Sequence, residues 1–177
     1  SRLWPVSRKK LPKQFSPLFE PSLFIQTMKR QLQYGDLAVC TSESLRGLTE
    51  STLRENQIEP KYFYYEPTGR NTAPAIAWVC YSLMKKGLED EVLGVFPSDH
   101  WIENEIEFAQ VLEFATECAK AEKIVTLGIK PTHPATGFGY IECYKESYNK
   151  KDHLKAFQVQ EFHEKPNYET ANEYIRR

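Results

Sequence analysis

Groups able to do chemistry sit just behind several short apolar runs. Asp99 lies in Pro97-Ser98-Asp99-His100, directly after the apolar run 92–96. A carboxylate at the carboxyl end of a buried parallel strand is a common place for a magnesium ligand. Mg²⁺ takes hard oxygen donors, usually one or two carboxylates together with substrate phosphates. The plainer alternative is that Asp99 caps a following helix. His100 reads as a hydrogen-bonded structural histidine rather than a ligand, and His133 as a surface loop residue. Glu164 and Lys165 follow the run 156–162. A carboxylate beside an ammonium can hold hydroxyls and a phosphate together, or it can be a surface ion pair worth under ~1 kcal/mol. Glu66-Pro-Thr-Gly-Arg-Asn-Thr-Ala-Pro74 follows 62–65. Its glycine lets backbone approach a ligand. Asn71 or Thr72 can cap the next helix, whose free amides favour anions; a plain capped loop fits equally well. Gly137 and Gly139 make the segment 130–140 closely approachable. Arg2, Arg8, Lys9, Lys10 and Lys13 crowd the start of the chain with no acid among them, as a solvated arm or as a phosphate-facing segment.

The elements that must carry these residues alternate. Residues 22–34 read as a helix with Ser22 as N-cap, 37–40 as a short strand, 43–57 as partly helical, and 62–65 as a second strand. A helix follows over 72–86, with Ala73, Ile76, Ala77, Cys80, Leu83 and Met84 on its apolar face. Pro74 is tolerated in its first turn, and Gly87 ends it. The runs 92–96 and 124–129 have the continuous apolar character of strands buried on both faces. Between them, 103–120 is helical, with Phe108, Val111, Leu112, Ala115, Cys118 and Ala119 along one side. Residues 139–144 and 156–162 read as strands with polar alternation, and the tail from Tyr168 as a last helix. Strands alternating with helices predict an α/β domain with a mostly parallel sheet. Ligands bind such sheets beyond the carboxyl ends of the strands, where the residues above are found.

Composition sets the bounds. The 177 residues are 41% hydrophobic and 27% charged, as in an ordinary globular domain, with a net charge of −1. A near-neutral chain is poorly suited to general nucleic-acid binding, which rests on phosphate neutralisation. No run approaches the ~18 apolar residues of a membrane span, and no secretory leader is visible. Cys40, Cys80, Cys118 and Cys143 are not at metal-ligand spacing, and read as buried free thiols in a reducing compartment.

Taken in order, the segments are specific. They are S-R-L-W-P-V-S-R at the start, P-K-Q-F at 12–15, E-P-T-G-R-N-T-A-P-A-I-A at 66–77, P-S-D-H at 97–100, T-L-G-I-K-P-T-H-P-A-T-G-F-G-Y-I-E at 126–142 and E-K-P at 164–166. In this order the chain resembles the mannose-1-phosphate guanylyltransferases (GDP-mannose pyrophosphorylases) of the sugar nucleotidyltransferase family, over essentially its whole length. The resemblance implies a Rossmann-like α/β fold, a mostly parallel sheet flanked by helices. It also implies transfer of GMP from GTP to mannose 1-phosphate with Mg²⁺, in a cytoplasmic enzyme feeding polysaccharide precursors. By the same resemblance Arg2 and Lys13 face the GTP phosphates, and Asp99 is the metal ligand. Glu66, Gly69, Arg70, Asn71 and Thr72 lie on the base and ribose segment. Gly139 and Tyr140 form the sugar loop, Glu164 accepts from sugar hydroxyls, and Lys165 holds the sugar phosphate. The implied partners are GTP and mannose 1-phosphate, without nucleic acid or membrane; a homo-oligomer is compatible.

The family pattern starts with a strand and a G-G-x-G turn before S-R-L-W-P, and continues beyond the E-K-P helix to a second acidic metal ligand. The expectation is therefore one catalytic domain over 1–177, incomplete at both ends, with little activity as an isolated chain. Two rivals stay open: a sugar-1-phosphate nucleotidyltransferase using UTP or dTTP, and a non-catalytic regulatory protein on the same fold. Nucleotide preference separates the first, and turnover the second.

Overall fold

Helix α1 (Leu23–Gln31) begins where the sequence places its cap: Ser22 Oγ accepts a hydrogen bond from Ile25 N at 3.4 Å. Its inner face carries Leu23, Phe24, Ile25 and Met28. Of these, Phe24, Ile25 and Met28 pack with Phe15, Leu37, Val39, Leu53 and Ile58 into one apolar cluster. The chain is seen here in a computed structural model that describes residues 7, 8 and 11–176. The expectations for Arg2, Lys9 and Lys10 fall outside the described residues.

Strand β1 (Ala38–Ser42) leads through a 3₁₀ turn (Glu43–Leu45) into α2 (Arg46–Glu55), and on to β2 (Tyr62–Glu66). The two strands pair in parallel, from Ala38 opposite Tyr62 to Ser42 opposite Glu66. A helix between two parallel strands is the unit the alternating pattern predicts. Leu53 and Thr49 of α2 are buried. Helix α3 (Thr72–Met84) follows. Its Trp78 meets Tyr64 of β2 edge-on, with ring centroids 5.6 Å apart. Beyond Met84 the chain turns off at Gly87, which takes the left-handed φ of +70° that glycine adopts without strain.

By contact density the chain divides into two units, residues 1–105 and 106–177. The second holds α4 (Glu105–Lys120) from Ile106 onward, a long antiparallel hairpin of β3 (Gly139–Lys151) and β4 (Leu154–Glu164), and α5 (Tyr168–Arg176). Lys151 Nζ binds Glu113 at 2.9 Å and Glu117 at 2.6 Å, tying the hairpin to α4 and holding the ammonium well above its usual range. His153 adds a contact of 2.7 Å to Glu107.

The α/β class is borne out, with β1 and β2 parallel and helices beside them. Several local expectations are corrected. The runs 92–96 and 124–129 are not strands; no described segment forms a ladder with either. A strand exists only as part of a pair, so apolar character alone does not make one. Their side chains are largely open, Ile124 fully and Ile129 to 90%. On α3 the buried residue is Val79, with Ile76, Cys80 and Leu83 half-buried, whereas Ala73, Ala77 and Met84 are exposed. That helix is apolar almost all round, so spacing alone cannot select its inner face. On α4 the buried pair is Phe114 and Cys118. The two polar strands are longer than expected and form one hairpin, turning at Asp152 and His153. All four cysteines are free, but only Cys118 is buried. Cys40 and Cys143 are exposed and Cys80 is half-buried, so lying in an apolar run did not bury them.

Candidate functional site

In the first unit, the 3₁₀ turn Lys13–Phe15 is pinned by Phe15, which is buried against Phe24 with centroids 4.8 Å apart. Phe15 N and Ser16 N close the turn onto Pro12 O and Lys13 O. Its backbone thus fixed, Lys13 forms an ion pair through Nζ with Asp99 Oδ2. The lysine side chain is 48% exposed and the carboxylate 24%. Two residues far apart in sequence, one singled out as a phosphate contact and the other as a metal ligand, are thus brought together. Asp99 does not cap a helix, because α4 begins only at Glu105. His100 is not the hydrogen-bonded histidine expected. It is exposed, and its Nε2 stays 3.9 Å from Asp99, beyond hydrogen-bond reach.

The 66–72 segment runs from the end of β2 into α3. Glu66 is half-buried opposite Ser42, and Gly69, Arg70, Asn71 and Thr72 are exposed. Asn71 stands at the N-cap with φ +71° and ψ −179°, a backbone region used almost only by glycine, and its side chain makes no capping bond. The Asn71 side chain therefore leaves the first amides of α3 uncapped, and strain of order 1–3 kcal/mol is stored at that point.

In the second unit the glycine-loop and E-K-P residues meet through the hairpin register. Gly139 pairs directly with Glu164, and Tyr140 with His163. A Cβ on Gly139 would lie 3.0 Å from Glu164 Oε2, so the glycine leaves room for that carboxylate. Lys165 has a φ of +45°, uncommon for a side-chain-bearing residue. Its amide donates to Phe138 O at 3.2 Å, joining the E-K-P turn to the glycine loop. Lys165 Nζ donates to Glu164 Oε1 at 2.5 Å, and both side chains are exposed and within reach of a ligand. Tyr140 packs its ring on Tyr174 of α5 at 5.4 Å and donates its hydroxyl to Ala135 O at 2.9 Å. Its side chain is thus committed to holding the loop. His133 is exposed and meets Thr132, as expected of a surface loop.

One group escaped sequence reasoning. Glu142, Glu161 and His163 bring their donor atoms within 4.8 Å of one another on the hairpin. The available signal was period-two spacing on β4 set against an antiparallel partner, and it needs the register to be read. Among the described residues no helix is long and apolar enough to cross a membrane.

Comparison with known proteins places the sequence and the fold. A family model described as nucleotidyl transferase matches residues 1–177. The chain is 38% identical to the alginate biosynthesis protein AlgA of Pseudomonas aeruginosa and 39% identical to a mannose-1-phosphate guanylyltransferase of Salmonella montevideo. It is also 39% identical to the xanthan biosynthesis protein XanB of Xanthomonas campestris. Each match covers 99% of this chain but only 36–37% of the relative, so the chain spans little more than a third of their length. A solved structure from Thermus thermophilus, named as a mannose-1-phosphate geranyltransferase, superposes with a TM-score of 0.77 at 31% identity, over 99% of this chain and 50% of that one. Nucleotidyltransferases of this kind generally use a divalent metal. With the fold of that solved structure and a family match along its whole length, the chain belongs to the nucleotidyl transferase family.

Proposed function

We propose that this chain carries the GMP-transfer chemistry of a mannose-1-phosphate guanylyltransferase: GTP and mannose 1-phosphate give GDP-mannose and pyrophosphate. The observation that carries the reading is the Lys13–Asp99 pair. It sets a carboxylate suited to a cation beside an ammonium suited to a phosphate. The names of the Salmonella and Thermus relatives support the sugar phosphate, and the Salmonella name supports the guanine nucleotide.

Asp99 fits Mg²⁺. A partly open carboxylate that already accepts a positive group can accept a metal ion, and one protein carboxylate plus substrate phosphates is a usual Mg²⁺ environment. When bound, Mg²⁺ would withdraw charge from the α-phosphate. Lys13, released from Asp99, moves onto the polyphosphate as a point charge; the resemblance gives Arg2, outside the described residues, the same task. Glu66, Gly69, Arg70, Asn71 and Thr72 receive the base and ribose at the uncapped start of α3. Gly139 and Tyr140 offer backbone amides to the sugar. Glu164 accepts from its hydroxyls, and Lys165 holds its phosphate. A phosphate oxygen of the sugar then bonds to the α-phosphorus, as the bond to pyrophosphate breaks. The protein performs no covalent step; its contribution is alignment and charge. The reaction consumes soluble substrates, consistent with a cytoplasmic site for polysaccharide precursor synthesis.

The test is pyrophosphate release by the protein that carries this chain, with mannose 1-phosphate, Mg²⁺ and each of GTP, ATP, UTP and dTTP. Release with GTP alone, lost in Asp99→Ala, is the expected result. Preference for UTP or dTTP overturns the reading of 66–72, and no release from folded protein overturns the catalytic reading.

A further inference from the structure

We propose that Glu142, Glu161 and His163 form a binding site for a borderline divalent cation of the Zn²⁺ type, separate from Asp99 and independent of the reading of that residue. Glu142 and Glu161 are paired across the β3–β4 ladder, and His163 lies two residues from Glu161 on the same strand. Strand alternation therefore sends all three side chains to one side of the sheet. Their donor atoms lie within 4.8 Å of one another, with His163 Nε2 at 2.7 Å from Glu142 Oε2. The ladder from Gly139–Glu164 to Glu142–Glu161 runs without a bulge, so this spacing is set by backbone register.

The chemistry favours a cation. Like charges placed directly opposite across a ladder repel each other. One imidazole nitrogen and two carboxylates are the donor types Zn²⁺ accepts, with a remaining position left for water. A nitrogen donor also separates this site from an all-oxygen Mg²⁺ environment. The imidazole ring is held against Tyr174, 4.9 Å between centroids, and Tyr174 packs on Tyr140. His163 and Glu142 are half-buried, whereas Glu161 is exposed, giving the ion an open side by which to enter. Glu164 and Gly139 alternate to the opposite face of the same hairpin. Occupancy would therefore brace the strand end from which Glu164 and Lys165 project, without entering the sugar site.

Zn²⁺ alone is titrated into the protein against a chromogenic chelator, in the presence of excess Mg²⁺. The wild-type protein, Glu161→Gln, His163→Gln and Asp99→Asn are compared, and Co²⁺ absorption serves as a second readout. The expected result is one ion held more tightly than by His163→Gln by roughly 100-fold or more, since even indirect supports of a metal site are worth 10–100-fold. Glu161→Gln, whose exposed side chain spares the fold, loses at least ~10-fold, and Asp99→Asn keeps full affinity. Equal affinity in the wild-type protein and His163→Gln overturns the proposal. So does displacement by Mg²⁺, or loss of binding in Asp99→Asn rather than in the hairpin variants.

Discussion

Replacing Lys13 by methionine should change metal and nucleotide affinity in opposite directions. Without nucleotide, the ammonium sits on Asp99 Oδ2, the carboxylate assigned to the metal. Any cation must first displace it. With Lys13 about half exposed, the pair is worth at most about 1 kcal/mol after solvent screening. Lys13→Met should therefore tighten binding of a divalent ion by at most about five-fold. Affinity for the nucleotide should fall much more. A hydrogen bond to a charged group contributes about 1.5–3 kcal/mol, so losing a lysine contact to the polyphosphate weakens GTP by roughly 10- to 150-fold.

The assay is a Mn²⁺ titration followed by electron paramagnetic resonance, then GTP binding by calorimetry, in both proteins. High salt should shrink the metal difference, because an exposed pair is screened. Thermal stability should move by only a few degrees, at ~2–4 °C per kcal/mol for a chain of this size. Weaker metal binding in Lys13→Met would refute the competition argument. Unchanged GTP affinity would refute the assignment of Lys13 to phosphate, leaving the ion pair a structural contact.

Three further outcomes follow from the geometry. Gly139→Ala places a methyl group 3.0 Å from Glu164 Oε2, so the carboxylate must swing away. KM for mannose 1-phosphate should rise by about 10-fold or more, with little loss of stability, as one charge-assisted hydrogen bond is misplaced; an unchanged KM sinks the role of Glu164. Asn71→Gly relieves the glycine-type backbone at φ +71° and should stabilise the protein by about 1 kcal/mol in urea denaturation, net of glycine's greater chain entropy; destabilisation would show that the Asn71 side chain outweighs the strain. Burial, then the 2.9 Å bond to Glu50, pushes the Tyr65 phenol up to about 12. Its folded value lies above the unfolded value of about 10. The resulting stability is complete below pH ~10 and is lost as pH rises toward ~12, about 1 kcal/mol after allowance for partial exposure. Comparing Tyr65→Phe with the wild-type protein over that interval should show a shallower alkaline loss in the variant.

What could be read from the sequence divides along a physical line. The β1–α2–β2 unit and helices α1, α3, α4 and α5 follow from signals a few residues long: the Ser22 cap, apolar periodicity, and Gly87 with its positive φ. The runs 92–96 and 124–129 do not. Apolar composition marks a segment for burial, but the ladder that makes it a strand belongs to two segments at once. The inner face of α3 was illegible for a related reason, since Val79 and Ala77 are both apolar and only tertiary packing distinguishes them. The types and order of Lys13 and Asp99 in the first unit, and of Gly139, Glu164 and Lys165 in the second, stand in the sequence as the motifs of the family resemblance. The Lys13–Asp99 contact and the left-handed Lys165 were not legible there, because each depends on tertiary geometry that no spacing encodes.

At the base of the hairpin one local rule sorts two sets of side chains. Its paired positions carry Gly139, Tyr140, Ile141 and Glu142 on β3 against Glu164, His163, Phe162 and Glu161 on β4. A period of two sorts these eight residues without any further device. Gly139, Ile141, Phe162 and Glu164 take one face, where the missing Cβ of Gly139 leaves space for the Glu164 carboxylate. Tyr140, Glu142, Glu161 and His163 take the other, where Tyr174 of α5 covers the rings. A slip of one residue in either strand would exchange the faces and put His163 where Glu164 stands. The register is held near its end by the Lys165 amide on Phe138 O, and at its far end by Lys151 on Glu113 and Glu117. The unusual φ of Lys165 is thus where the strand turns away directly after its last paired residue, keeping Glu164 in the ladder while freeing the lysine to leave it.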